Sequence, residues 1–175
     1  MKKLVLIAVM IFSVFAFATA QKFAYVDTDY ILENIPEYND AKALLDDLAE
    51  QWQHEIEEKY AEIDQLYKAY QAEAVLLPED MKKKKEDEII KKEKAVKELQ
   101  RQIFGQDGEL FKKRQELIKP IQEKIYNAIE EMAVQRNYAV IFDKSGSLTM
   151  LFSDAKYDLS DDVLDELGYS YNTGK

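Results

Sequence analysis

Residues 41–78 read AKALLDDLAEQWQHEIEEKYAEIDQLYKAYQAEAVLLP, and the fold follows from this stretch. It holds no Gly, and no Pro interrupts the chain between Pro36 and Pro78. Ala, Glu, Lys, Leu and Gln dominate it, and these residues lose little freedom in a helix. The apolar residues Ala41, Leu45, Leu48, Trp52, Ile56, Tyr60, Ile63, Tyr67, Tyr70 and Ala74 recur at steps of three and four, a helical period. From Leu45 to Tyr67 the stripe advances 22 residues in six steps, 3.67 per step, closer to an eleven-residue than a seven-residue repeat. So narrow a stripe on so long a helix makes no globular core by itself. It needs a second helix.

The sequence supplies one at once. Leu76-Leu77-Pro78-Glu79-Asp80 has turn character near 77–80, and Pro78 suits a helix start. Beyond it the apolar residues Ile89, Val96, Leu99, Ile103, Leu110, Leu117, Ile121, Ile125, Ile129 and Met132 continue a helical stripe, several of them whole heptads apart. Gly105 and Gly108 weaken this arm, and Pro120 should kink it or remove one backbone hydrogen bond, so these three are candidate hinges. Residues 37–119 are expected to form a long antiparallel helical hairpin of two nearly equal arms.

The flanks have a different texture. Phe23-Ala24-Tyr25-Val26 reads as a strand, and Asp27-Thr28-Asp29 caps a short helix over 30–34. Near the other end Tyr138–Phe142 and Leu148–Phe152 read as two strands of a hairpin around Lys144-Ser145-Gly146-Ser147. Ser160 is read as the cap of a last helix that Gly168 ends. The fold class is therefore α+β. A small body of residues 21–36 and 120–175 is built from both termini, with the hairpin inserted between them. Phe23, Tyr25, Val140, Phe142, Leu148 and Met150 are its expected strand residues. Three short strands make a thin sheet, and other subunits are expected to cover its edges.

The first 20 residues are read as an export signal. Lys2 and Lys3 precede an apolar run from Leu4 to Phe17, and Ala18-Thr19-Ala20 places the cleavage site between Ala20 and Gln21. The run is too short to span a bilayer. Loss of the two lysines takes the net charge from −10 to −12. That charge is uneven: residues 21–80 hold 4 basic and 16 acidic side chains, and residues 81–102 hold 9 and 5. An acidic surface argues against nucleic acid as a partner. No Cys is present, which excludes disulfides and thiolate chemistry.

These features together resemble the Skp/OmpH family of periplasmic chaperones. The carrying residues are the leader, then Phe23-Ala24-Tyr25-Val26-Asp27-Thr28-Asp29-Tyr30-Ile31-Leu32, then Leu117-Ile118-Lys119-Pro120-Ile121-Gln122-Glu123-Lys124-Ile125 with Ala128-Ile129. Asn137-Tyr138-Ala139-Val140-Ile141-Phe142-Asp143 and Asp158-Leu159-Ser160-Asp161-Asp162-Val163 complete the pattern. The resemblance implies a jellyfish-like homotrimer whose β-rich trimerisation body carries three coiled-coil tentacles around a cavity. It also implies an ATP-independent holdase for unfolded outer-membrane β-barrel proteins, located in the periplasm. The family's tentacles are usually basic, and this chain departs from that in being acidic overall.

Lys82, Lys83, Lys84, Lys85, Lys91 and Lys92 lie just past the hairpin turn. They are candidates for contact with an acidic client, anionic lipid or lipopolysaccharide, against the plainer reading of a solvated face paired with Glu86, Glu88 and Glu93. Tyr60, Tyr67 and Tyr70 suit weak contact with many sequences, although they share a stripe with Leu45, Leu48 and Ile63 that favours core packing. No catalytic, metal or cofactor site is expected. The only His, His54 in His54-Glu55-Ile56-Glu57-Glu58, lacks the second His of a zinc-peptidase helix. No phosphate-binding Gly-rich loop is present. The alternative function is a structural coiled-coil envelope adaptor that binds one defined partner.

Overall fold

The structure is a computed structural model that describes residues 21–146 and 150–169. Its described residues divide into two compact units, one of residues 35–124 and one of residues 21–34 with those described beyond 124. In chain order the elements are β1 (Lys22–Val26), α1 (Thr28–Glu33), α2 (Pro36–Glu73), α3 (Glu79–Phe104), α4 (Glu109–Gln135), β2 (Tyr138–Asp143), a short 3-10 turn (Ala155–Tyr157) and α5 (Ser160–Glu166).

The unit of residues 35–124 is built on α2. Its 38 residues span roughly 57 Å at about 1.5 Å per residue. Pro36 opens the helix, where its missing N–H costs no bond. The helix ends where Ala74 N–H still donates to Tyr70 at 2.8 Å, and Pro78 precedes α3 in an extended conformation. The two arms pack along one seam of Ile56, Ile63, Ile89, Val96 and Ile103, flanked by Trp52, Leu66, Tyr70 and Leu99. Each fully buried seam side chain contributes about 1.5–3 kcal/mol.

The seam keeps a heptad step, Ile56 to Ile63 on one arm and Ile89 to Val96 to Ile103 on the other. This differs from the eleven-residue repeat expected from the sequence, which survives only from Leu45 to Ile56, both buried. The heptad seats Leu66 where the expected stripe held Tyr67, and it keeps Tyr70 on the seam as expected. Tyr60 and Tyr67 consequently fall outside the seam and are 37% and 49% exposed.

The returning arm is not one helix. It stops at Phe104 and resumes at Glu109, across Gly105 and Gly108. A Cβ on Gly105 would lie 2.3 Å from the Arg101 carbonyl oxygen, and one on Gly108 would lie 2.4 Å from that of Ile103. Only glycine permits this close approach of backbone to backbone. By contrast α4 runs through Pro120 without a break. Pro120 lies on an exposed face, where water can satisfy the carbonyl left without its helical donor.

In the other unit β1 and β2 pair in parallel, with Phe23 opposite Val140, Tyr25 opposite Phe142 and Val26 opposite Asp143. Parallel neighbours require a long crossover, and the inserted helices supply it. The expected antiparallel partner of β2 is absent where it can be checked: Met150 lies in irregular chain, and Leu148 falls outside the described residues. β1 instead meets the chain at Asp158, where Leu159 N–H donates to Tyr25 O at 2.9 Å. Flanked on both edges, β1 buries Ala24, Tyr25 and Val26 in succession. α1 packs against α5, with Ile31, Val163 and Leu164 fully buried. Leu159, not Ser160, is the residue before α5, and Asp158 accepts from Ser160 N–H at 3.0 Å. Gly168 follows the helix at φ 81°, the left-handed conformation that suits glycine.

Candidate functional site

The basic block occupies the first turns of α3. Lys82 pairs with Glu79 one turn earlier at 2.7 Å. Lys85 reaches across to Glu73 of α2 at 2.9 Å, and Lys92 reaches Glu62 at 3.4 Å. Lys85 and Lys92 lie four and three residues from Ile89, next to the seam, so their stems cover it while their ammonium groups reach the acidic arm. Lys83, Lys84 and Lys91 are exposed, and among the described residues no carboxylate lies within 4.0 Å of them. The block therefore divides into lysines that tie the arms together and lysines that face solvent.

The three tyrosines divide as well. Tyr70 packs on the seam and donates its hydroxyl to the Glu86 carboxylate. That bond holds the phenolic proton, and with some burial and the nearby carboxylates it raises the Tyr70 pKa. Tyr60 and Tyr67 are exposed to solvent in part.

In the body, a polar knot joins the segments that the sequence keeps far apart. The Asp143 carboxylate accepts from Thr28 N–H at 3.2 Å and Thr28 Oγ1 at 2.7 Å. It also accepts from Ser145 N–H at 3.0 Å and Ser145 Oγ at 2.8 Å. Burial pushes its pKa up, and these four donors together outweigh burial and lower it. Beside it Asp27 N–H donates to Ser160 Oγ at 2.8 Å, and Lys144 pairs with the Asp27 carboxylate at 3.3 Å. Ser145 thus serves the knot with both its N–H and its hydroxyl. His54 Nδ1 lies 3.7 Å from Glu58, both on the exposed surface of α2, and no metal-ligand cluster occurs among the described residues.

Beyond the knot, the sheet is largely uncovered. Phe23, Val140 and Phe142 are each more than a third exposed. Phe23 and Phe142 join Tyr138, Met150, Phe152 and Tyr157 in lining an open apolar groove of about 990 Å³, with Lys22, Asp154 and Lys156 at its margin. Phe152 is 86% exposed. Tyr126 and Val134 of α4 are exposed too, Val134 at 74%.

Sequence reasoning passed over Tyr126 and Val134 because they stand one or two positions off the stripe through Ile121, Ile125 and Met132. An apolar residue displaced from a helical stripe is itself the signal that would have found them. The turn reading covers Leu76 at the tip, 85% exposed, and passes over Val75 beside it, 90% exposed. No described helix is long and apolar enough to cross a membrane.

The family described as Outer membrane protein (OmpH-like) matches residues 22–167. A candidate outer membrane chaperone (OmpH-like) from Caulobacter crescentus CB15, known from its crystal structure, superposes with a TM-score of 0.68 at 13% sequence identity, over 85% of each chain. A search of curated proteins finds no match. The family match runs from the first residue of β1 to just past α5, taking in both the uncovered sheet and the hairpin. The chain belongs to the OmpH-like family of outer membrane proteins.

Proposed function

We propose that the chain is an ATP-independent periplasmic holdase that works as a homotrimer. Residues 21–36 and 120–175 form the assembly body, and residues 37–119 form a tentacle. Three tentacles enclose a cavity that holds unfolded outer-membrane β-barrel proteins and keeps their strand edges apart. The observation that carries this reading is the apolar sheet face around Phe23, Phe142 and Phe152, exposed in a single chain and large enough to be a site of assembly. Family membership and the fold shared with the Caulobacter protein support it. The seam also uses most of the hairpin's buried apolar residues on holding the arms together, which leaves dispersed rings such as Tyr60 and Tyr67 for weak contacts shared over three arms.

Within this reading Lys83, Lys84 and Lys91 attract acidic client segments and give peripheral contact with anionic lipid or lipopolysaccharide. The Gly105–Gly108 break lets the arm bend, and Pro120 adds a second weak point in the helix ladder. The signal ends at Ala20, and export places the chain in the periplasm.

The test joins mass in solution with a holdase assay. The mature chain should sediment as a trimer and keep a urea-diluted β-barrel protein soluble without nucleotide, at equimolar trimer or below. Replacing Tyr60 and Tyr67 together by Ser should raise aggregation several-fold with helical content unchanged. A monomer that leaves aggregation unsuppressed would overturn the proposal.

A further inference from the structure

The two arms of the hairpin carry opposite charge on the sides turned away from each other. At about 100° per residue, Lys83, Lys84, Lys91 and Lys94 fall on the face of α3 opposite Ile89, Val96 and Ile103, and Lys97 falls at its edge. All five are exposed, and among the described residues none has a carboxylate within 4.0 Å. On α2 the half opposite Ile56 and Ile63 carries Asp46, Asp47, Glu50 and Glu57, exposed and likewise without a cation within 4.0 Å. The exceptions on each face are few. Glu98 bonds Arg101 at 2.5 Å, and Asp80 and Asp87 stand among the lysines. Lys68 bonds Asp64 at 2.6 Å, and Glu58 faces His54.

In an antiparallel pair the two faces opposite the seam point in opposite directions. The cross-arm pairs Lys85–Glu73 and Lys92–Glu62 fix which residues share a level along the hairpin, and continuing that pairing sets Lys97 level with Glu57. Two hairpins standing side by side at equal height would therefore set Lys97 of one level with Glu57 of the next, with Lys94 one turn nearer the tip and Glu50 two turns further from it. The contact is head-to-tail, and a rotation between neighbours is what closes such contacts into a ring rather than an open row.

We propose that these back faces are complementary docking surfaces for a second copy of the same hairpin. The α3 face of one copy attracts the α2 face of its neighbour, and ionic strength sets how far the arms stand apart. The proposal rests on the trimeric reading and adds to it a control on cavity width. Exposed charges act over about 30 Å at 0.01 M salt and about 3 Å at 1 M, so low salt draws the empty arms together and high salt releases them. A charged client entering the cavity competes with the same faces.

The chain has no Cys, so one introduced at exposed Gln71 labels each hairpin at a single site. Distances between spin labels on the mature chain should lengthen by several ångströms from low to high salt. Lys94→Glu with Lys97→Glu should give the long distances already at low salt. Adding Glu50→Lys with Glu57→Lys to that variant should bring the short ones back, a rescue that loss of folding cannot mimic. Analytical ultracentrifugation of the same samples separates the two ideas. A trimer whose label distances ignore both salt and charge reversal overturns this inference alone. A monomer overturns it together with the trimeric reading.

Discussion

In the body, the bonds that matter join residues far apart in the chain: Thr28 to Asp143 across 115 positions, Tyr30 to Asp161 across 131 and Asp27 to Ser160 across 133. In the hairpin, the cross-arm links Lys85–Glu73 and Lys92–Glu62 close only 12 and 30 positions. The hairpin seam is a line of single apolar residues from each arm, whereas the body combines buried Ile31, Val163 and Leu164 with a polar knot. Closing a long loop costs more entropy than closing a short one, and non-local contacts form later. The difference teaches that one chain holds a locally determined rod and a globally determined body. The rod's contacts are local in sequence, whereas the parallel pairing of β1 with β2 has to close the whole insert.

The largest effect is expected where the body has no spare packing. Leu164→Ala removes a fully buried side chain and should cost about 2–5 kcal/mol. Hydrogen exchange should then show β1, β2 and α5 losing protection while α2 and α3 keep theirs. Equal loss in both regions would mean that they unfold as one unit, and the contrast would fall.

A smaller effect is expected at the knot, and it depends on pH. The Asp143 pKa is depressed below its ordinary 3.8 in the folded body, so the charged carboxylate favours folding. Its contribution is complete well above that value and is lost as pH falls through the lower folded one. Asp143→Asn should cost about 1–2 kcal/mol at neutral pH. It should also flatten the acid limb of a body-specific unfolding curve below about pH 4. Wild type and variant failing at the same pH with the same slope would show that this carboxylate is not what ties the termini.

The smallest effect is expected in the rod. Lys92→Gln removes an exposed cross-arm pair at 3.4 Å and should cost less than about 1 kcal/mol, diminishing further in salt. A larger loss of hairpin protection would assign the arms to electrostatics rather than to the seam through Ile56, Ile63, Ile89, Val96 and Ile103.

The rod was the legible part of the sequence. Breakers at Pro36 and Pro78 and a long apolar period marked α2, the turn and the start of α3, because local propensity and one stripe suffice for a two-helix pair. The stripe misassigned Tyr67 against Leu66, since adjacent apolar residues both fit a three-or-four step and only the facing arm chooses between them. The full break at Gly105–Gly108 was read merely as weakness, because the backbone approach that requires those glycines is a tertiary fact.

The body was less legible. Phe23–Val26 and Tyr138–Phe142 were recognisable strands, but parallel pairing across the whole insert leaves no local mark, whereas a nearby apolar run at 148–152 imitates a hairpin partner. The candidate surfaces split along the same line. Position along the chain located the lysines, while the orientation that ties Lys85 and Lys92 across the seam and leaves Lys83, Lys84 and Lys91 free belongs to the packed helices.

The parallel register of β1 with β2 also bears on the chain's birth. β1 is the first described element to leave a ribosome or an export channel, and its partner strand leaves more than a hundred residues later, opposite Tyr25 at Phe142. At ordinary rates of synthesis the interval is on the order of ten seconds. During that time β1 is an unpaired apolar edge, and the hairpin zips up behind it. A protein proposed to shield the stranded edges of others thus begins its own life in need of the same protection.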